Sequence, residues 1–151
     1  MIMKRKIVKL EDVFQTGREM ARLVVSYFTD LGPWLARPFC EFYRHVCELP
    51  YIDDPDEIET ISRPAFLLCE DYAPRDCDDK AILCACWWRG HGHKCRFVAT
   101  STTPDGELHH VFLQVDNGIF VDSTYKENAD LLGNYDYFPK VTNLVYLTPW
   151  F

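Results

Sequence analysis

Residues 75–89 read Arg-Asp-Cys-Asp-Asp-Lys-Ala-Ile-Leu-Cys-Ala-Cys-Trp-Trp-Arg, and this stretch decides the fold. Asp76 is a favourable N-cap residue, and two further aspartates follow in the first turn, where the helix dipole favours negative charge. Nearly every residue from Ala81 to Trp88 is apolar, which is typical of a helix that is buried on all sides. The pattern therefore predicts a helix through the middle of a domain, with Cys77 in its first turn.

The segments before this helix show helical periodicity. Apolar residues at near-helical intervals predict an amphipathic helix over residues 11–31, which Gly32-Pro33 ends. A second helix is expected from near Pro38 to Leu49, and Pro64 is expected to begin a short third one. Residues 51–56 are polar and contain proline, so a loop is predicted there.

The segments after the helix change to the alternation that is typical of β-strands. Strands are predicted at four ranges of residues: 95–102, 108–115, 119–123 and 141–147. Turn-forming residues at 104–106 and 116–118 separate the first three, and a helix is expected near residues 128–132. Helices followed by antiparallel strands predict one α+β domain over residues 1–151, in which the N-terminal helices and the central buried helix pack on the sheet.

The composition limits the possible functions. The chain has 151 residues, of which 48% are hydrophobic and 15% aromatic, which is enough for a folded core. Its net charge of −7 argues against nucleic acid as a partner, and the one basic cluster, at residues 4–9, is interpreted as a solvated tail. No apolar stretch approaches the roughly 18 residues of a membrane span. Seven cysteines, several in apolar runs, fit a reducing cytoplasm better than a disulfide scaffold.

Cys77 is a candidate nucleophile because of its position in the predicted helix. The N-terminus of a helix stabilises a thiolate through its dipole and free amides, and those amides can also bind an oxyanion. The neighbouring aspartates oppose ionisation, so a histidine near the thiol is required. The alternative is that Cys77 only fills space at the start of the helix.

A base for this thiol is expected from the strand that contains His109 and His110. Adjacent strand residues point to opposite faces, so only one of the two faces the thiol. Asp122 on the next strand is the candidate that orients the imidazole. A three-residue loop at 116–118, with Gly118 in the left-handed position, places Asp122 on the face of His110, whereas a two-residue loop places it on the other face.

Three segments together resemble the transglutaminase-like superfamily. Residues 75–89 resemble its Asp-Cys-Asp-Asp helix, residues 110–115 (His-Val-Phe-Leu-Gln-Val) its histidine strand, and residues 120–124 (Phe-Val-Asp-Ser-Thr) its aspartate strand. Residues 50–68 resemble the lead-in of a small bacterial and phage-associated branch. The resemblance covers about half of the chain.

The resemblance implies a papain-like core and a catalytic triad of Cys77, His110 and Asp122. It implies acyl transfer through a thioester, with peptide hydrolysis, deamidation or cross-linking of glutamine as outcomes on a protein or peptide substrate. No cofactor and no metal are expected. The family also implies an oxyanion site made by the cysteine amide and an upstream side chain, for which Tyr72 is the candidate, with Asp76 as a further oxyanion or substrate-binding residue.

Two other functions stay open at this point. One is a zinc module, for which His91, His93 and Cys95 supply soft ligands. Their spacing matches no standard zinc pattern, and Cys84 and Cys86 diverge by roughly 200° on a helix. The other is a catalytically inactive family member that acts as a binding scaffold. The oligomeric state is left open.

Overall fold

The structure is a computed structural model and describes residues 12–54, 60–69, 71 and 74–151. Within these residues, the helices are α1 (Val13–Tyr27), α2 (Phe39–Glu48), α3 (Pro64–Leu67) and α4 (Cys77–Gly90). They precede the strands β1 (Cys95–Ser101), β2 (His110–Val115), β3 (Phe120–Val121) and β4 (Asn143–Tyr146). Short 3-10 helices lie at Phe28–Ala36, Lys126–Asp130 and Phe138–Lys140. The predicted α+β class is confirmed.

Local signals explain where the first helices begin and end. Asp12 caps α1 by accepting a hydrogen bond from the backbone N–H of Gln15 at 2.7 Å. The predicted end of this helix at residue 31 is wrong, because α1 ends at Tyr27 and a 3-10 segment continues past a kink at Gly32, where φ is 53°. The helices predicted near Pro38 and from Pro64 are confirmed. The basic cluster at residues 4–9 and part of the predicted 51–56 loop lie outside the described residues.

The central helix α4 begins and packs as its sequence predicts. The Asp76 side chain accepts from the backbone N–H groups of the first turn, and the Asp79 carboxylate accepts from the Asp76 N–H, which completes a capping box. Residues 78–87 are all buried, and the helix contacts α1, α2, α3 and the sheet. Of the helices formed by the described residues, none combines the length and apolar character that crossing a membrane requires.

The sheet is antiparallel, with the strand order β3-β2-β1-β4. Alternate residues of β2 point to opposite faces. Val111, Leu113 and Val115 lie in the hydrophobic core together with residues of α4. Phe112 lies on the other face, with its ring 5.8 Å from those of both Phe120 and Phe138.

The connection between β2 and β3 has the register on which the predicted site depends. Leu113 pairs with Val121 and Gln114 with Phe120, so residues 116–118 form a three-residue loop. Gly118 adopts a φ of 93°, as the left-handed position of such a loop requires. The predicted three-residue loop is confirmed, and Asp122, directly after β3, falls on the face of His110.

Arg75 fixes the chain immediately before α4. Its guanidinium is fully buried and donates to the carbonyl oxygens of Pro50 and Leu67, both at 2.9 Å, and of Cys69. Its backbone also pairs with that of Ile52 in an isolated antiparallel bridge. These contacts fix the position of the chain segment that leads into the first turn of α4.

Candidate active site

His110 and Asp122 are joined directly. His110 Nε2 lies 2.7 Å from Asp122 Oδ2, the imidazole is 13% exposed, and the carboxylate is fully buried. Because an ionised carboxylate only accepts hydrogen bonds, Nε2 carries the proton in this pair. The second nitrogen, Nδ1, is then a proton acceptor, and it has no hydrogen bond within the described part of the chain.

The Asp122 carboxylate is held by four hydrogen bonds. Besides His110, the backbone N–H and the hydroxyl of Thr124 donate to Oδ1 at 3.0 and 2.6 Å, and the Tyr137 hydroxyl donates to Oδ2. Burial raises the pKa of Asp122. The hydrogen bond and charge of His110 lower it, and the hydroxyls of Thr124 and Tyr137 lower it further. Together these effects outweigh burial, so the pKa lies below its ordinary value. Asp122 is therefore ionised at neutral pH.

The backbone of Asp122 is fixed by residues that are distant in sequence. Its N–H donates to the Tyr135 hydroxyl at 2.8 Å, and Asn128 Nδ2 donates to its carbonyl oxygen at 3.2 Å. The Tyr43 hydroxyl lies 2.9 Å from the same carbonyl oxygen and 3.0 Å from the Tyr135 hydroxyl. Sequence reasoning missed these tyrosines and Tyr137, since no spacing in the chain connects them to Asp122.

Cys77 is the first residue of α4 and is partly exposed. Its sulfur lies 3.9 Å from Asp78 Oδ1. Burial, and then the charges of Asp78 and Asp76, raise the pKa of the Cys77 thiol well above its ordinary value, although the Val111 backbone favours the thiolate. Burial and the two aspartates together thus keep the resting thiol protonated at neutral pH.

The Cys77 sulfur lies beside β2, the strand that carries His110. The Val111 backbone, which acts on the sulfur, belongs to the residue directly after His110, and Asp122 is near enough for its charge to raise the pKa of the thiol. Among the described residues no hydrogen bond joins Cys77 to His110. Catalytic pairs are often separated in this way at rest and tighten when substrate binds.

His109 points away from Asp122. It is exposed, its Nε2 lies 3.3 Å from the Thr102 hydroxyl, and its Nδ1 lies 3.2 Å from the Glu107 carbonyl oxygen. Both ring nitrogens therefore have partners, and no carboxylate in the described part of the chain orients the ring. Of the two adjacent histidines, His110 has the environment of a general base.

A cleft of about 430 Å³ opens beside Cys77. Its lining combines the first turn of α1, the first turn of α4 and the start of β2. The charged and polar side chains in it are Asp12, Thr16, Asp76, Asp78 and His109. The cleft is therefore negatively charged around the sulfur.

Two exposed tyrosines lie near the thiol. The Tyr51 and Tyr125 rings are 5.6 Å apart, and the Tyr125 ring is nearly parallel to the His110 imidazole at 6.2 Å. Burial raises the pKa of both tyrosines, and the charge of a Cys77 thiolate raises it further, which shows that both rings lie near the sulfur. They form an aromatic rim that sequence reasoning missed.

The two predicted oxyanion residues have different outcomes. Tyr72 lies outside the described residues. Asp76 lies at the N-cap, where its N–H donates to Asp79 Oδ2 at 3.1 Å, so it has no donor for an oxyanion and lines the cleft instead. Since Asp76 caps the other amides of the first turn, the Cys77 N–H is the one without a partner within the described residues.

The proposed zinc ligands are not brought together. His91 Nε2 lies 2.7 Å from the Leu35 carbonyl oxygen, and His93 Nδ1 lies 2.8 Å from Asp116 Oδ1. Cys95 is buried in β1. No group of potential metal ligands among the described residues combines these three. Cys84 also points elsewhere, donating to the Ser123 hydroxyl at 3.3 Å.

Comparisons with known protein families, with curated proteins and with solved structures find no match for this chain. The geometry of the site is therefore what points to a function. It consists of an oriented imidazole–carboxylate pair, a thiol at a helix N-terminus that lies against the same strand, and an open cleft.

Proposed function

We propose that the protein is a transglutaminase-like cysteine hydrolase or acyltransferase with a papain-like core, acting on peptide or carboxamide bonds of a protein or peptide substrate. The observation that carries the proposal is the 2.7 Å hydrogen bond between His110 Nε2 and Asp122 Oδ2, with His110 on the strand whose Val111 backbone acts on the Cys77 sulfur. Nucleophilic catalysis by a thiol needs a base near it and a third group that orients that base. These three residues supply the three roles.

In the proposed reaction, His110 Nδ1 takes the proton from the Cys77 sulfur as the sulfur attacks the carbonyl carbon. The carbon–nitrogen bond then breaks, and the leaving amine receives that proton from His110, which leaves an acyl thioester on Cys77. Water or a second amine attacks the thioester with His110 again as base, and the thiol is released. Because the pKa of the resting thiol is raised, its proton moves during the attack rather than before it.

Asp122 and the first turn of α4 stabilise the charges that develop. The ionised Asp122 holds the imidazole by Nε2 and stabilises the imidazolium that forms. The Cys77 N–H is the proposed oxyanion donor, with Tyr72 as the second. The packing of α4 against an antiparallel sheet supports the assignment of a papain-like core.

The test is acylation of Cys77 by a library of glutamine-containing peptides and peptide amides, read by intact mass and by site mapping. A mass increase at Cys77 that is absent in Cys77→Ala is the expected result. Site-resolved alkylation by iodoacetamide at neutral pH is the second measurement. His110→Ala is expected to slow alkylation of Cys77 by about 10²-fold or more, because general-base catalysis contributes that much.

The chain provides matched controls for both measurements. His93→Ala removes an imidazole that lies 2.8 Å from Asp116 and outside the lining of the cleft, and it is expected to leave alkylation of Cys77 within about twofold. Cys40 and Cys69 are exposed free thiols in the same chain and report general reactivity. A catalytically inactive binding scaffold is the second candidate, because no hydrogen bond joins the described thiol and imidazole. Absence of acylation, with alkylation independent of His110, would favour the scaffold.

A further inference from the structure

Lys80 is a buried cation of α4 that the reaction described above does not use. It lies one helical turn after Cys77 and is 1% exposed. Its Nζ donates to the carbonyl oxygens of Cys47 at 3.2 Å and Thr124 at 2.8 Å. A buried ammonium is stable only when such acceptors replace water. The side chain therefore joins α4 to the end of α2 and to the segment after β3.

Both contacts of Lys80 have a physical basis. Cys47 lies in the last turn of α2, where the helix dipole is negative and favours a cation. Thr124 follows Asp122 by two residues, and its N–H and hydroxyl are the donors that hold Asp122 Oδ1. The carbonyl that Lys80 binds and the donors that hold Asp122 therefore belong to the same residue, so Lys80 restrains the residue that carries these donors.

A second contact connects the same two segments. The Ser123 hydroxyl donates to the Lys80 carbonyl oxygen at 3.2 Å. The backbone and the side chain of Lys80 thus hold both residues that follow Asp122, and Lys80 belongs to the helix that carries Cys77. The relative position of the sulfur and the carboxylate depends on these contacts.

We propose that Lys80 is a positioning residue of the site, whose ammonium restrains Thr124 through its carbonyl oxygen and thereby orients Asp122 and the His110 imidazole relative to Cys77. The inference rests on the proposed function, because an oriented imidazole matters only if His110 is the base. Within the described residues, Lys80 Nζ forms no hydrogen bond to the thiol or to the imidazole, so its effect passes through Thr124 and Asp122.

Lys80 is protonated at neutral pH. Burial, and less strongly the charge of Arg75, lower the pKa of Lys80 to about 8. The charge of Asp122 favours the ammonium and opposes these effects. At pH 7 the ammonium therefore donates to both carbonyl oxygens.

The test is the tautomer of His110, measured by long-range ¹H–¹⁵N NMR of the imidazole nitrogens at pH 7. In the wild-type protein the Nε2–H that donates to Asp122 is expected as one downfield resonance of a single tautomer. Lys80→Met keeps an unbranched apolar chain of similar length but has no N–H donors. It is expected to lose that resonance and to mix the two tautomers, with at least a tenfold slower alkylation of Cys77.

Two further variants separate positioning from loss of stability. Ile82→Val removes a methyl group from a buried residue of the same helix and should keep the resonance. Thr124→Val keeps the shape of the side chain and the carbonyl that Lys80 binds, but removes the hydroxyl that donates to Asp122; it should mix the tautomers and so tests the step from Thr124 to Asp122, even if Lys80→Met does not fold. A wild-type tautomer in folded Lys80→Met, or in Thr124→Val, would overturn the proposal. Failure of wild-type Cys77 to be acylated, with the NMR changes present, would instead refute the enzyme.

Discussion

The His110 imidazole and the Asp122 carboxylate meet at 2.7 Å although they lie on opposite sides of a chain reversal. The meeting depends on one extra loop residue. A two-residue turn between β2 and β3 would place Asp122 opposite Leu113, on the face that packs against α4. In the structure Leu113 pairs with Val121 instead, which shifts Asp122 by one residue, to the other face of the sheet. A single step in register therefore decides whether the imidazole has a carboxylate partner.

Asp122→Asn is expected to reduce acylation of Cys77 by about 10³-fold or more, with little change in the fold. The amide cannot accept from all the donors that hold the carboxylate, so the Nε2–H tautomer of His110 is no longer favoured. The measurement is the initial rate of acylation in single-turnover experiments, together with circular dichroism.

Tyr137→Phe is the graded control for this variant. It removes one donor to Asp122 but leaves His110 and Thr124 in place. We expect a stability loss of about 1–3 kcal/mol and a much smaller effect on the rate than Asp122→Asn. Equal rate losses in the two variants would contradict the orienting role of Asp122.

The α+β class and the register of β2 and β3 could be predicted because their signals are local. The N-cap of α4 is the residue directly before the helix, and its capping box spans only three further residues. The β2–β3 loop is specified by a glycine at φ 93° within the loop itself. The His110–Asp122 pair follows from these signals, since adjacent antiparallel strands bring together residues at fixed offsets.

The tyrosine network and the charge balance at the thiol could not be predicted in the same way. Tyr43 contacts the Asp122 carbonyl across 79 residues of sequence, and no periodicity connects α2 to the end of β3. The position of Cys77 at a helix N-terminus predicted a stabilised thiolate, and its neighbouring aspartates predicted the opposite. Which effect dominates depends on burial, which only the packed structure gives.

The negative charge of the cleft predicts that Cys77 discriminates between alkylating reagents by charge. Iodoacetate should react with Cys77 about fivefold or more slowly, relative to iodoacetamide, than it does with Cys40 in the same chain. Like charges about 4 Å apart repel by about 1 kcal/mol even in water, and Asp76 and Asp78 flank the sulfur.

Salt and substitution test this explanation. Raising the ionic strength to about 1 M shortens the Debye length to about 3 Å and should remove most of the discrimination. Asp12→Asn, at the far side of the cleft, should reduce it in part. Discrimination at Cys77 equal to that at Cys40 would contradict a negatively charged approach to the thiol.

The buried cysteines predict that stability falls above about pH 9. Burial raises the pKa of Cys47 and Cys95 to about 12, and also raises that of Cys77, Cys84 and Cys86. The ordinary pKa of a cysteine thiol is 9.0. At a pH between this value and the raised pKa values, the thiols of the unfolded chain lose protons that those of the folded chain keep. The stabilisation that the buried thiols contribute is therefore fully present below pH 9. It is lost as the pH rises, and the free energy of unfolding falls by up to about 1.4 kcal/mol per thiol and pH unit.

Urea unfolding at pH 7, 8, 9 and 10 under reducing conditions measures this effect. Lys80 acts in the opposite direction between about pH 8 and 10.5, because its lowered pKa means that the unfolded chain binds the extra proton. One amine does not offset five thiols, so the net slope is negative. Cys84→Ala should reduce the slope of the unfolding free energy against pH by the contribution of one thiol. An unfolding free energy that stays constant from pH 8 to 10 would contradict the effect of burial on the thiols.

Gly118→Ala tests whether the loop that sets the register also supports the site. An added Cβ at Gly118 meets no atom within 4 Å, so the cost is that of a φ of 93° alone, about 1–2 kcal/mol of unfolding free energy. Gly92 is a matched control, with a φ of 82°, equally open space and a position after α4, away from His110. Both alanine variants should lose similar stability in urea unfolding. Only Gly118→Ala should slow the His110-dependent alkylation of Cys77, since it alone strains the connection that holds Asp122 on the face of His110. Equal alkylation rates in the two variants would show that the His110–Asp122 pair tolerates distortion of the loop.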